Sequence, residues 1–177
     1  RRTSIAEQAI EAAGLLRELD PGPVTAIGLG FGGVVALELA LAEPELVAAA
    51  HAIEPPVFGP VAAATEGMSA DVAAIRAAAE EGGERAAYDL YLNGELGTLG
   101  AGAERFGPFA DRGPEAARTF LVELPAVPAW PLDPVRLAGL EVEVGVVTAP
   151  STPDLLRTAA DALADRVPGS RRHHARL

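Results

Sequence analysis

The feature that most constrains this chain is the hexapeptide Gly28-Leu29-Gly30-Phe31-Gly32-Gly33, in which four of six residues lack a side chain. It follows the apolar run Val24-Thr25-Ala26-Ile27 and opens a second apolar run, Val34 to Ala42. A short apolar run bounded by turn residues reads as a fully buried strand. The longer run after the turn predicts a helix, closed near Glu43-Pro44-Glu45. Glycines at the junction permit positive φ and let a helix backbone lie directly on a strand. Leu46 to Ile53 predicts a second buried strand, closed by Glu54-Pro55-Pro56. Strand, tight turn, helix and strand in about 30 residues form a βαβ unit, which requires a parallel sheet.

The flanking sequence extends this pattern. Residues 5–19 space Ile5, Ala9, Ala12, Ala13, Leu16 and Leu19 at helical intervals. Ser4, with Glu7 three residues on, predicts a capping box. Asp20-Pro21-Gly22-Pro23 stops that helix. Residues 61–92 are Ala-rich and predict helix split at Gly82-Gly83. The Gly-rich stretch 94–113 predicts loop, and Pro114 to Leu124 a further helix. Four prolines in residues 125–134 predict extended chain. Val142 to Val147 predicts a third strand, Pro153 to Val167 a helix, and Arg171 to Leu177 a fourth strand. Strands alternating with helices give the α/β class. The helical segment 61–124 interrupts that alternation. It predicts an insertion over the carboxyl edge of the sheet, where ligands bind in such folds.

Composition removes several functions. The chain has 177 residues, 49% of them apolar, enough for a packed core and too hydrophobic for disorder. Acidic residues number 25 against 14 basic, a net charge of −11, which argues against nucleic acid and anionic membranes as partners. Every basic residue is Arg, a bias that together with the Ala content points to a GC-rich bacterial genome. Cys is absent, which excludes disulfides, thiolate catalysis and Cys-ligated metals. The three His (His51, His173 and His174) leave little for zinc binding or general-base work. Val24 to Ala42, the most apolar stretch, contains Glu38 and several glycines and reads as core rather than a membrane span. No apolar signal segment follows Arg1, which predicts a cytoplasmic protein.

Two families put a glycine turn of this kind between strand and helix. The dinucleotide-binding fold uses G-x-G-x-x-G. Gly28, Gly30 and Gly33 keep that spacing, and Glu54, 21 residues past Gly33, stands where a ribose-binding acid belongs. The nucleophile elbow of α/β-hydrolases uses G-x-S-x-G, matched by Gly28 and Gly32 and extended by Gly33, with Gly30 at the nucleophile position. A dinucleotide fold usually opens with its glycine-turn strand. Here an amphipathic helix and a Pro-Gly-Pro turn come first. From that helix to Val47 the chain resembles the hydrolase helix, elbow strand, elbow and following helix. VAAAHAIEPP resembles the next strand, residues 57–134 are similar to a cap region, and residues from Leu137 to Leu177 resemble the penultimate strand, its helix and the last strand. The chain therefore resembles the α/β-hydrolase fold family over nearly its whole length.

The resemblance implies a partial α/β-hydrolase-like parallel sheet, from the elbow strand onward, with a helical cap insertion. Residues 1–56 and 135–177 would form the core and 57–134 the cap or lid. The family's first four strands would precede Arg1, so Val24 to Gly28 becomes a sheet edge open to self-association unless another segment covers it. At the site, Gly28, Gly32 and Gly33 are the elbow glycines, Gly30 supplies no nucleophile, and the backbone N–H of Phe31 is the remaining oxyanion donor. The family His would lie beyond Leu177, since His173 and His174 fall within the last strand. The acid belongs either in the loop Thr148 to Asp154 or at Glu54. Glu54 is the favoured position, with a turn carboxylate before two prolines as the plain alternative. Asp154 reads as a helix N-terminal charge, His51 as a core histidine, and His173-His174 as a solvated strand end. Trp130, Phe120, Tyr88 and Tyr91 are candidates to line an apolar pocket under the cap, with packing as the plainer reading of Tyr88 and Tyr91 at their helical spacing. The expectation is a hydrolase-like pseudoenzyme with no cofactor and no metal, binding a small apolar molecule. The alternative is a dinucleotide-binding Rossmann-type module built on Gly28, Gly30, Gly33 and Glu54.

Overall fold

The computed structural model describes residues 3–57, 62–93, 118–119, 121–130 and 133–175. Its elements run α1 (Ile5–Leu19), β1 (Val24–Leu29), α2 (Phe31–Ala42), β2 (Val47–Ile53), α3 (Ala62–Asn93), α4 (Pro134–Ala138), β3 (Glu143–Thr148), α5 (Asp154–Ala164) and β4 (Arg171–His174). The strands form a parallel sheet in the order β1-β2-β3-β4. This is the α/β architecture that the alternating pattern predicts.

Local chemistry explains the boundaries. Ser4 and Glu7 form the expected capping box: the Glu7 N–H donates to Ser4 Oγ at 3.1 Å, and the Ser4 N–H donates to Glu7 Oε2 at 2.9 Å. Asp20 closes α1 in the left-handed region at φ 45°, and the chain turns through Gly22 at φ 76° into β1. Pro44 starts a single 3-10 turn, so β2 begins at Val47 rather than Leu46. The break expected at Gly82-Gly83 sits at Gly83, where φ is 75° inside α3. Residues 94–113 lie outside the described residues. Of the helix expected over 114–124, residues 118–119 and 121–123 are described and helical.

One expectation fails. The proline-rich stretch 125–134 is not extended throughout its described residues. Leu124–Ala126 form a 3-10 turn, Val127 is helical at φ −68° and ψ −54°, and α4 starts at Pro134. Proline fixes its own φ near the helical value and is well tolerated at the first position of a helical turn. Pro125 and Pro134 sit at such positions. Capping by Asp133, whose carboxylate accepts from the Val135 N–H at 2.8 Å, holds the second turn in place.

The sheet is covered unequally. Ala50 and Ala52 of β2 and Val144 and Val146 of β3 share one face with Gly28, and all four side chains are buried. Helix α2 packs on that face, with α1 beside it, and α5 lies along β3. The opposite face carries Ile27, Leu29, His51, Ile53, Gly145 and Val147. There Ile27 remains 67% exposed and Leu29 65%. Among the described residues β1 pairs only with β2, so it is an edge strand, as the resemblance implies. Met68, Ala126, Val127 and Trp130, all in the segment read as a cap, belong to the same buried cluster as Ile5, Leu37 and Leu163.

The tightest point in the fold is the crossing of β1 and α2. A Cβ on Gly28 would stand 2.1 Å from the carbonyl carbon and oxygen of Gly32 and 2.4 Å from the Gly33 nitrogen. Those are backbone atoms and cannot rotate away. Gly28→Ala must push helix from strand and is expected to cost several kcal/mol, at or above the ~1–3 kcal/mol typical of overpacking. Gly32→Ala meets nothing within 4 Å and is expected to change stability little. Urea denaturation of both variants checks the pair. Equal midpoints would contradict the close crossing.

Candidate functional site

The carboxyl ends of β1, β2 and β3 bring together Gly30, Glu54 and Thr152. Gly30 follows β1 with φ 55° and ψ −119°, the conformation of the first central residue of a type II′ turn. It is the N-cap of α2. Its N–H donates to the Ile53 carbonyl at 2.8 Å, which ties the turn to the end of β2. A Cβ at this position would meet nothing within 4 Å, so the constraint on Gly30 is conformational, not spatial. Gly33 is the opposite case: its Cβ would sit 3.0 Å from the Gly28 carbonyl oxygen and 3.3 Å from Ala52. Of the glycines expected at the elbow, Gly28 and Gly33 serve close packing, Gly30 serves backbone geometry, and Gly32 has no steric need of its own. Phe31 is the first residue of α2. Its N–H belongs to the first helical turn, where no intrahelical acceptor exists, and so points out of the helix end.

Glu54 follows β2 with φ 46°, a left-handed conformation unusual for a residue with a Cβ. Its N–H donates to the Val147 carbonyl at 2.9 Å. The hydroxyl of Thr152 donates to its carboxylate and accepts from the Ala149 N–H at 2.7 Å. Thr152 is 2% exposed. Glu54 therefore reaches across to the loop that follows β3. The two regions where the resemblance allows an acid are thus joined by one buried hydroxyl. Asp154, in that same loop, starts α5 with a fully solvated side chain and a 3.8 Å approach to Arg157. This is the helix N-terminal charge that its position predicts. Arg157 holds the loop from below by donating to the Thr152 carbonyl at 2.6 Å.

The histidines do not converge on this edge. His174 Nδ1 lies 3.0 Å from Thr148 Oγ1. His173 meets His51 edge-on, with ring centroids 6.2 Å apart, on the open face of the sheet. His51 was expected in the core. It is instead half-buried, because its face of β2 is the one that α2 does not cover. The ring has room only because its β3 partner is Gly145, where a Cβ would fall 2.1 Å from His51 Nδ1. Among the described residues no cluster of three Asp, Glu or His is arranged to hold a metal ion. None of the helices there is long and apolar enough to cross a membrane.

A second polar group escaped the sequence reading. Glu38 lies inside the apolar helix α2 and is 6% exposed. Its carboxylate accepts from the Trp130 indole N–H at 2.9 Å and from Arg136 at 3.1 and 3.4 Å. The signal was present, since a lone acid among apolar helix residues demands buried partners. Trp130, expected to line a pocket, borders a cavity, and it is buried and fixed by Glu38. Tyr91 packs against the core cluster, and burial followed by the neighbouring Tyr88 holds its phenol above the usual range. Phe120 lies outside the described residues. Two cavities lie between the start of α1 and residues 118–130, and neither of these is lined by Gly30, Phe31 or Glu54.

No family model matches the sequence, and no curated protein matches it. Solved structures do match its fold. An α/β hydrolase from Sphaerobacter thermophilus superposes with a TM-score of 0.68 at 16% identity, over 100% of this chain and 68% of its own. MenH from S. aureus gives a TM-score of 0.75 at 16% identity, over 97% of this chain and 66% of its own. The enol-lactonase from Burkholderia xenovorans gives 0.68 at 16% identity, over 98% and 65%. The chain thus spans about two thirds of the length of these structures. Its glycine turn follows the edge strand of a four-stranded parallel sheet, and the Glu54 carboxylate is engaged by Thr152 on the β3 side. The chain has an α/β-hydrolase-like fold, from the elbow strand onward.

Proposed function

We propose that this chain does not hydrolyse esters and instead binds a small apolar molecule beneath residues 57–134. The observation that carries this reading is Gly30: the elbow conformation is kept, and the side chain that would attack a carbonyl is missing. Acyl transfer at an elbow needs a nucleophile, a base within hydrogen-bond reach of it, and donors for the oxyanion. Here the Phe31 N–H remains as a donor, and Glu54 remains as a held carboxylate. Neither can replace an attacking oxygen. His174 is bonded to Thr148 and His173 faces His51, so neither stands as a base beside Gly30. An elbow in this state can still offer an N–H to a ligand carbonyl, which is binding without turnover. Purified protein assayed with activated short-chain esters across pH is expected to show only background. Turnover abolished by a serine-directed phosphonate would overturn the reading.

Gly30→Ser tests the same position from the stability side. A residue with a Cβ at φ 55° and ψ −119° is strained by about 1–3 kcal/mol. The variant is expected to unfold at lower urea concentration and to remain inactive, since a hydroxyl without a base keeps its ordinary reactivity. Equal midpoints would show that position 30 carries no strain.

The open β1 edge supports a second part of the proposal, self-association. Val24 to Leu29 contains no charge and no proline, the usual guards of an edge strand. Light scattering is expected to show mass rising with concentration, and Ile27→Lys to reduce that rise. A stable monomer at every concentration would count against it.

A further inference from the structure

A cavity of about 340 Å³ lies between the start of α1, helix α3 and residues 122–130. Its walls are mostly apolar, formed by Ile5, Val122, Ala126 and Trp130 among others. Arg76 of α3 enters this lining, and among the described residues no acidic side chain does. In a chain with net charge −11 that combination is unusual.

The state of Arg76 is more telling. Arg17, Arg85, Arg118, Arg136, Arg171 and Arg172 each meet a carboxylate. Arg157 and Arg166 donate to backbone carbonyls. Arg76 is the one guanidinium among the described residues with neither, and it is half-buried. A guanidinium drawn out of water gains most from a carboxylate, which accepts two parallel N–H bonds from it. Trp130, pinned by Glu38, puts a fixed aromatic side chain into that wall for an apolar body. A fixed wall lowers the ordering cost of binding. The volume is that of a small-molecule site.

We propose that this cavity binds a small carboxylic acid with an apolar body, its carboxylate on Arg76 and its hydrocarbon against Trp130. The inference rests on the ligand-binding part of the function proposed above and is independent of the chemistry at Gly30. It adds both the site and the charge of the ligand.

Octanoate and its neutral amide are the probes, titrated into the full chain by calorimetry. Fluorescence of Trp130, the sole tryptophan, is followed in parallel. Octanoate is expected to saturate, to bind at least tenfold tighter than octanamide, and to change Trp130 emission. Arg76→Gln is expected to lose that tenfold preference, while Arg85→Gln, which removes an exposed arginine on the same helix, keeps it. Equal binding of octanoate and octanamide to the unaltered chain would overturn the anion site and leave an apolar ligand site standing. No saturable binding of either would overturn both. Should Arg76→Gln fail to fold, the comparison of the two probes on the unaltered chain still decides. Loss of preference in Arg85→Gln as well as in Arg76→Gln would overturn the assignment to Arg76.

Discussion

The backbone of α2 rests directly on the backbone of β1, and the rest of the structure follows from that contact. With a Cβ-free Gly28 under the Gly32 carbonyl, the helix can start within one residue of the strand's end. Only a turn as sharp as the one at Gly30 makes that connection, hence its positive φ. The same approach brings Gly33 against Ala52, so α2 covers β2 as well as β1. Small side chains continue the logic across that face, where Ala50 and Ala52 are fully buried. A larger residue at any of these positions would lift the helix. Lifting it would move the Phe31 N–H away from the sheet edge.

The elements were legible because their signals are local. The capping box at Ser4, the Pro-Gly stop at Asp20, the elbow glycines and the break at Gly83 each depend on residues a few positions apart. What the sequence hid was long-range. Glu38 is matched with Trp130 and Arg136, 92 and 98 positions away, and no periodicity reports such a triad. Gly145 looks like an interruption of an apolar strand until His51 appears beside it. Residues 125–134 went wrong for a related reason. Four prolines predict extended chain, although the fixed φ of proline equally suits the first turn of a helix.

Glu38 shows how polar chemistry substitutes for extra core in a chain with few aromatics. A carboxylate inside α2 is costly to bury alone, and unpaired it would weaken the fold. Accepting from an indole and a guanidinium, it instead fastens Trp130 and α4 onto the helix that carries the elbow. The segment read as a cap is thus tied to the core by a directional contact as well as by Met68, Ala126 and Val127. Arg136 stays partly exposed, which spares the pair full desolvation.

Glu54 poses the sharper question, because its backbone and its side chain pull in different directions. Left-handed φ is easy for Gly and costs an ordinary residue about 1–2 kcal/mol. A turn before two prolines could use Gly, Asn or Asp at no loss. Here a Glu occupies it, and a nearly inaccessible Thr152 hydroxyl is spent on its carboxylate while the Ala149 N–H locks that hydroxyl. A solvated turn carboxylate needs no such partner. The strain and the hydrogen bond together describe an acid whose direction is fixed, pointing to the loop after β3 at the end of the sheet that also carries the Gly30 turn. That arrangement survives because the same interactions close the β2 and β3 ends of the sheet: the Glu54 N–H to Val147 and the Thr152 hydroxyl to Glu54 link one strand end to the other. Position of an acid and closure of the sheet edge are here one structural device, so a glycine at position 30 gives no physical reason for Glu54 to drift.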